Sequence, residues 1–198
     1  MIRTATLLIA LAFYSAAPQA RAGNNFHEID KGKMYRSAQL TGAEFEQVIK
    51  NRGIKTIINL RGEFPNADWY VKEAAAARKH GVQLVNIHMS AENIPHRENL
   101  IMLLDTLKTA PRPLLIHCKA GADRTGEASA LYQMLYMGKT RKEALNMLTT
   151  KYDHVRIFKP GKSYFIREVW QGETWAYEDY EPCDGRYKYY SVGNPFCV

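Results

Sequence analysis

A cysteine and an arginine separated by five residues lie near the middle of the sequence, in a stretch that runs from Leu114 to Gly126. The stretch reads Leu-Leu-Ile-His-Cys-Lys-Ala-Gly-Ala-Asp-Arg-Thr-Gly. Its apolar start is typical of a strand buried on both faces, and apolar residues at helical spacing follow Thr125. A loop entering a helix N-terminus offers amides to an anion and lowers the pKa of a cysteine there. We therefore expect a Cys118 thiolate to attack a phosphate ester that Arg124 holds with a planar, two-pronged donor.

The complete motif is His-Cys-x-x-Gly-x-x-Arg-Thr-Gly, from His117 to Gly126. It resembles the cysteine-dependent protein tyrosine phosphatases, and specifically their dual-specificity branch. The wording Lys-Ala-Gly-x-Asp-Arg-Thr-Gly is similar to bacterial and phytase-like members, and Tyr-Arg-Ser at 35–37 resembles the opening of bacterial ones. The resemblance covers roughly residues 35–152. It implies hydrolysis of phosphotyrosine, with phosphoserine and phosphothreonine as further substrates, through a phosphocysteine intermediate.

Each residue of the motif has an expected role. Thr125 would hydrogen-bond the thiolate and help it leave phosphorus, or cap the helix, and both can hold together. His117 would orient the loop rather than transfer a proton. A merely structural, buried Cys118 would leave the glycines, Arg124 and Thr125 unexplained. The phosphate cradle would be formed by the backbone of Lys119, Ala120, Gly121, Ala122, Asp123 and Arg124.

The general acid is less clear from the sequence. Related phosphatases usually carry an aspartate on the loop after the preceding strand, but that loop here, 88–94, contains only Glu92 as a carboxylate. Asp123 is the alternative, because myotubularin-like lipid phosphatases with an aspartate at this loop position are thought to use it as the acid. We expect Glu92 to serve for protein substrates and Asp123 for lipid or inositol substrates.

The substrate class has a second interpretation, a phosphoinositide or inositol-phosphate phosphatase. Such enzymes often carry a lysine after the nucleophile, as Lys119 does here, but many carry a second lysine where this chain has Ala122. Arg61 would line the rim of the site or form an ion pair in solvent. The Asp-Arg-Thr-Gly ending argues against a rhodanese-like sulfurtransferase, and the presence of Cys118 and Arg124 argues against a pseudophosphatase. No cofactor or metal is expected.

Residues 1–22 have the composition of a secretory signal peptide. Arg3 gives a positive start, 6–17 are apolar, and Ala-Arg-Ala at 20–22 forms a cleavage site. The apolar run is too short to span a bilayer, so no integral membrane segment is expected in the mature chain, 23–198. Loss of Arg3 and Arg21 lowers the formal net charge from +7 to +5. This excess favours anionic substrates over nucleic acid. A periplasmic or secreted enzyme follows.

The three cysteines fit an exported protein. Cys183 and Cys197 flank a short aromatic tail and are expected to form a disulfide, which leaves Cys118 as the free thiol. In the alternative, a tail cysteine pairs with an oxidised Cys118. The tail from Trp175 to Tyr190 would either pack over the core or contribute to recognition.

Length and composition suit one domain: 198 residues, 46% hydrophobic and 24% charged. Strands alternate with helices, which predicts a single α/β domain with a mostly parallel central sheet flanked by helices. Residues 23–32 are expected to be a poorly ordered lead-in. Strands are predicted over 33–39, 54–60, 82–87 and 114–116, and helices over 41–53, 66–80, the leucine-striped stretch after Pro95, the stretch from Thr125 to Gly138, 140–151 and 161–171.

Overall fold

The computed structural model describes residues 24–190, which form five strands and seven helices. The strands are β1 (His27–Asp30), β2 (Met34–Ser37), β3 (Thr56–Asn59), β4 (Gln83–Asn86) and β5 (Leu114–His117). The helices are α1 (Gly42–Arg52), α2 (Asp68–Lys79), α3 (Arg97–Thr109), α4 (Asp123–Tyr136), α5 (Arg141–Ala144), α6 (Pro160–Tyr164) and α7 (Glu173–Glu178).

The strands form one sheet in the order β1-β2-β5-β3-β4, parallel throughout except for β1. Successive side chains of a strand point to opposite faces, and the core divides accordingly. Leu115 packs with residues of α1 and α2, whereas Leu114 and Ile116 pack with residues of α3 and α4. The α/β class and the helix-covered parallel sheet are confirmed.

The four parallel strands end in polar residues at one edge of the sheet. Ser37, His117 and Asn59 lie in register on β2, β5 and β3, and Asn86 pairs with Asn59 on β4. Asn59 Nδ2 donates to Asn86 Oδ1 at 3.0 Å. Ligands of open α/β sheets bind at this carboxyl edge, and the Cys118 loop begins there.

The first helix shows how local sequence determines an element. The Thr41 hydroxyl accepts from the Glu44 amide, and the Glu44 carboxylate accepts from the Thr41 amide, so a capping box begins the helix. Gly53 ends the helix in the left-handed region, at φ 64°. The buried residues Phe45, Val48 and Ile49 pack in one apolar cluster with Leu115 of β5.

The expectation of a poorly ordered lead-in at 23–32 is wrong. His27–Asp30 forms the edge strand β1, which pairs antiparallel with β2. The sequence did not predict β1 because the strand is polar, and an edge strand with one half-solvated face needs few apolar residues. Asn25, just before β1, donates to the carbonyls of Ala120 and Tyr152 at 3.1 and 3.0 Å, which connects this segment to the loop after β5.

The single helix predicted over 140–151 is also wrong. A capping box between Thr140 and Glu143 begins α5, but this helix ends at Ala144, and only single 3₁₀ turns follow at Leu145–Met147 and Thr150–Tyr152. Tertiary contacts explain the break. α4 packs so closely here that a Cβ at Gly126 would lie 2.7 Å from the Met147 carbonyl oxygen.

The C-terminal part departs from the prediction in a similar way. The helix predicted over 161–171 is α6 followed by a π-helical turn at Phe165–Val169, and α7 is an additional helix. The tail packs over the core: Tyr180 is fully buried, and its hydroxyl donates to the Pro95 carbonyl at 2.6 Å. Within residues 24–190, no helix is long and apolar enough to cross a bilayer.

Candidate active site

The segment between β5 and α4 forms a tight loop around Cys118. This cysteine directly follows β5, is buried, and is a free thiol. Gly121 has φ +68°, and a Cβ there would lie 2.6 Å from both the Ser37 carbonyl carbon and the Ala38 amide nitrogen. The loop therefore requires glycine at this position, for its conformation and for its contact with the end of β2.

A buried arginine that the sequence analysis did not assign holds the outside of the loop. The Arg36 guanidinium donates to the Gly121 carbonyl at 2.6 Å and to the Met147 carbonyl at 3.1 Å. It stacks over the Tyr152 ring at 4.2 Å, and burial lowers its pKa to about 10. Arg36 thus holds the Gly121 carbonyl toward β2. We expect the neighbouring amides of the loop to be available to an anion. The one feature of the sequence that could have indicated this role of Arg36 is a cation within the otherwise uncharged β2.

The Arg124 side chain is held by two hydrogen bonds from Nη1, whereas its Nε donor is unused within residues 24–190. Its Nη1 donates to the carbonyls of Leu60 and Met89 at 3.3 and 3.4 Å, at the ends of the adjacent strands. Its Nε is buried and has no hydrogen-bond partner among residues 24–190. A buried guanidinium N–H without a partner costs free energy unless a ligand accepts from it, as a phosphate oxygen would.

Thr125 lies in the first turn of α4 with a fully buried side chain. Its hydroxyl has no hydrogen-bond partner in the described part of the chain. The helix begins without a side-chain cap, so the capping interpretation of Thr125 is not what the structure shows. The hydroxyl remains available for a thiolate, and that role stays a prediction.

His117 and Arg61 are joined by a chain of hydrogen bonds. His117 Nε2 lies 2.8 Å from Glu73 Oε1, and both side chains are fully buried. The other oxygen of Glu73 accepts from Gln39 Nε2 at 2.9 Å, and Gln39 Oε1 accepts from Arg61 Nη1 at 2.7 Å. These hydrogen bonds fix the His117 ring and connect it to Arg61 at the rim of the site. The role of His117 in orienting the loop stays a prediction.

Arg61 lies at the rim and is not paired with a described carboxylate. Its guanidinium stacks over the Trp69 ring at 3.3 Å. Partial burial lowers the pKa of Arg61, and the positive charge of Arg124 lowers it further. Leu60, whose carbonyl accepts from Arg124, directly precedes Arg61 in the chain. Of the two interpretations offered for Arg61, the lining of the site is the one the structure supports.

An aromatic cluster of Trp69, Phe64 and His88 contacts Arg61 through the Trp69 ring. Phe64, which is exposed, lies 5.7 Å from the Trp69 ring and 5.8 Å from the His88 ring, measured between centroids. These three residues come from the segments that follow β3 and β4, the same edge of the sheet that carries the Cys118 loop. The rim therefore combines a cation with flat apolar surfaces.

The two carboxylates considered as general acid have different surroundings. Asp123 Oδ1 lies 2.8 Å from His154 Nδ1, and the His154 side chain is fully buried. Glu92 is 69% exposed and forms an ion pair with Lys159. Nothing in the sequence around His154 indicated this contact, because it depends on the irregular segment that follows Tyr152.

Comparison with known proteins identifies the family. Residues 9–164 match the family described as DSP-PTPase phosphatase fused to NAD+ kinase, and the match begins within the predicted signal peptide. The chain belongs to this family. It is a cysteine-based phosphatase, a phosphoric monoester hydrolase. Comparison with curated proteins gives no match.

Solved structures confirm the fold. TpbA of P. aeruginosa is 20% identical with a TM-score of 0.61, over 77% of this chain and 91% of TpbA. TpbA has also been crystallised with phosphotyrosine. The core catalytic domain of the PP-IP phosphatase Siw14 of S. cerevisiae is 24% identical with a TM-score of 0.60, over 74% of this chain and 85% of that domain. Tk-PTP, in its active form, is 20% identical with a TM-score of 0.55, over 73% and 95% of the two chains.

Two further expectations concern residues outside the described range, 24–190. Cys197 and residues 1–22 lie outside it, so the Cys183–Cys197 disulfide and the signal peptide stay predictions. Within residues 24–190, no group of three or more histidine, cysteine or acidic side chains is arranged to hold a metal ion.

Proposed function

We propose that this chain is an exported phosphatase that hydrolyses phosphotyrosine, and phosphoserine and phosphothreonine more slowly, through a phosphocysteine intermediate. The observation that carries the proposal is the arrangement around Arg124. A buried free thiol begins the loop, and a buried guanidinium Nε without a partner in the described chain ends it. An ester phosphate satisfies that donor and accepts from the loop amides.

In this mechanism the Cys118 sulfur attacks phosphorus in line with the leaving oxygen. The S–P bond forms as the P–O bond breaks, and a proton passes to the departing oxygen. Arg124 and the loop amides stabilise charge on the equatorial oxygens. Water then attacks phosphorus and gives a proton to the carboxylate that protonated the leaving oxygen in the first step. The S–P bond breaks, and the Thr125 hydroxyl stabilises the departing thiolate.

We assign the leaving-group proton to Asp123. This carboxylate belongs to the loop and is hydrogen-bonded to the buried His154, which fixes its position. The Glu92 side chain is 69% exposed and is paired with Lys159, so among the described residues it lacks a fully buried partner comparable to His154. The proposal therefore differs from the expectation that Glu92 serves for protein substrates.

The aromatic rim supports an aryl substrate. Phe64 and Trp69 offer flat apolar surfaces beside Arg61, and a phosphotyrosine ring can pack against such side chains. The crystal structure of TpbA with phosphotyrosine shows that this fold can hold the ligand. A phosphoserine side chain is shorter and has no ring, so it gains less from the same rim.

A second candidate substrate class is favoured by the cations. Arg61 has no described carboxylate partner, and Lys119 is exposed immediately after Cys118. Together with Arg124 they could contact more than one phosphate group, as an inositol phosphate would require. Siw14, whose fold this chain shares, is described as a PP-IP phosphatase.

A substrate panel distinguishes the two classes. The purified mature protein is assayed in the presence of a metal chelator against phosphotyrosine, phosphoserine and phosphothreonine peptides, phosphoinositides and inositol phosphates. The proposal expects the highest kcat/KM on phosphotyrosine peptides and no turnover with Cys118→Ser. A higher kcat/KM on an inositol phosphate would replace the substrate class, and chelator-sensitive turnover would exclude the mechanism.

Export is tested separately. N-terminal sequencing of the protein from a periplasmic extract should begin at Gly23, since cleavage is expected after Ala22. Its mass under non-reducing conditions should correspond to one disulfide and one free thiol. Uncleaved protein, or three free thiols, would contradict the proposal.

A further inference from the structure

A turn beside the site exposes two large apolar side chains. Ile157 and Phe158 are 79% and 73% exposed. The Val155 carbonyl accepts from the amides of Phe158 and Lys159 at 2.9 and 3.2 Å, so a hydrogen-bonded turn holds both side chains outward. Turns usually carry small or polar residues, and single exposed apolar residues are common, but an adjacent pair at the tip of a turn marks an interaction site.

The surface around Ile157 and Phe158 carries several cationic side chains. A cleft of about 650 Å³ next to it is lined by residues that include Arg156, Arg167 and Lys188, with Glu168 as its acidic residue. Arg167 is ion-paired with Glu168, whereas Arg156 and Lys188 form no ion pair within residues 24–190. Arg156 and Lys188 therefore give this surface two positive charges that no ion pair within residues 24–190 neutralises.

An apolar tip bordered by cations matches the boundary of an anionic bilayer. Apolar side chains enter the zone between head groups and acyl chains, and lysines and arginines remain at the depth of the anionic head groups. An acidic peptide would use the cations but would leave Ile157 and Phe158 in water. We propose that the protein docks on anionic lipid membranes through residues 155–158, here called the docking turn, together with Lys188. The docking turn includes the cation Arg156.

The docking turn is connected at both ends to loops that border the site. His154, which precedes the turn, contacts Asp123 at the end of the Cys118 loop, and Lys159, which follows the turn, forms an ion pair with Glu92 in the loop after β4. A bilayer bound at this turn therefore lies beside the rim of the active site. The docking proposal holds whichever phosphate ester the enzyme hydrolyses, because it concerns binding and not turnover.

Vesicle flotation tests the proposal. The mature protein that begins at Gly23, and so contains every described residue, is mixed with vesicles of phosphatidylcholine alone or in an equal mixture with phosphatidylglycerol. We expect binding to the mixed vesicles only, weakened by salt. Ile157→Ser/Phe158→Ser should weaken the binding at least about ten-fold, because two buried apolar side chains are lost.

Three comparisons make the test specific. Arg156→Gln and Lys188→Gln should each weaken binding about five-fold, the usual effect of one cation near an anionic surface. Val71→Ser/Met102→Ser removes exposed apolar side chains from α2 and α3 and should bind as the wild type does. The Ile157→Ser/Phe158→Ser variant should keep wild-type turnover of a soluble aryl phosphate, which shows that it is folded.

Several results would overturn the proposal. They are the absence of binding to the mixed vesicles, equal binding to uncharged vesicles, and unchanged binding by the folded Ile157→Ser/Phe158→Ser variant. Dimerisation that this variant abolishes would assign the turn to a second copy of the chain. Binding of an acidic peptide by the wild type without binding to vesicles would assign it to a protein partner.

Discussion

Asp123 Oδ1 lies 2.8 Å from Nδ1 of His154, whose side chain is fully buried and whose Nε2 has no partner in the described chain. Within residues 24–190 the imidazole ring of His154 therefore has a single polar contact, and that contact fixes the carboxylate directly before Arg124. This geometry makes Asp123 the general acid of the proposal and gives His154 a positioning role.

The choice between the two acids can be tested with leaving groups. Asp123→Asn should lower kcat on an alkyl ester such as phosphoserine by about 10²-fold or more, because a basic alkoxide needs a proton to leave. On an aryl ester of an acidic phenol the loss should be small. Glu92→Gln should change neither rate appreciably. The reverse pattern would restore Glu92, and an equal loss on all esters with Asp123→Asn would make Asp123 structural.

The positioning role of His154 is tested with the same two leaving groups. His154→Ala should lower kcat on phosphoserine several-fold and kcat on an aryl ester of an acidic phenol only a little, because the Asp123 carboxylate loses the contact that fixes it. His154→Asn, which keeps a polar group at this position, should partly restore kcat on phosphoserine. An equal loss of kcat on both esters would indicate that the residue only supports the fold.

Gly121 is expected to be intolerant of any side chain. Gly121→Ala places a Cβ 2.6 Å from backbone atoms of Ser37 and Ala38 at φ +68°, so the loop must shift and activity should fall below detection. The unfolding free energy should decrease by about 2 kcal/mol or more. Gly138→Ala is the matched control: φ is +64°, but nothing lies within 4 Å of its Cβ. It should cost about 1 kcal/mol and leave kcat unchanged. Equal effects of the two variants would contradict this explanation.

Arg61 is predicted to bind substrate. Arg61→Gln should raise KM for phosphopeptides about ten-fold, because a charge-assisted contact to an anionic substrate is lost. Arg78→Gln, an exposed arginine on α2, is the control and should leave KM unchanged. An unchanged KM for Arg61→Gln would show that the side chain only packs on Trp69.

The buried Glu127 predicts a pH dependence of stability. Burial raises its pKa to about 7 from 4.5, although Lys162 pairs with it at 2.9 Å. Between these two values the unfolded chain releases a proton that the native protein keeps, so the contribution to stability is full below 4.5 and is lost as the pH rises through 7. Urea unfolding across this range should show the decrease, and Glu127→Gln should remove it. Glu143→Gln, at an exposed helix start, should leave it unchanged.

The sequence allowed some parts of this account to be predicted for a physical reason. The residues from Cys118 to Gly126 are contiguous, so strand, loop, nucleophile and clamp can be recognised together. The capping box at Thr41 is likewise local, and α1 begins where that box places it.

Other parts depend on contacts between distant segments. Arg36, Glu73 and His154 reach the loop region only because β2 lies beside β5, α2 packs under the sheet edge, and the chain after Tyr152 is irregular. The break of the helix predicted over 140–151 is also tertiary, since it follows from the close approach of α4 at Gly126. No local pattern marks such contacts.

The central claim is that Cys118 is the nucleophile, and trapping the covalent intermediate tests it most directly. The enzyme is mixed with an aryl phosphate carrying radiolabelled phosphorus, quenched with acid within one turnover, and digested for peptide mapping. The account predicts one labelled peptide, modified at Cys118 through sulfur, and no label and no turnover with Cys118→Ser. Label on another residue, or turnover by Cys118→Ser above a small fraction of the wild-type rate, would contradict it.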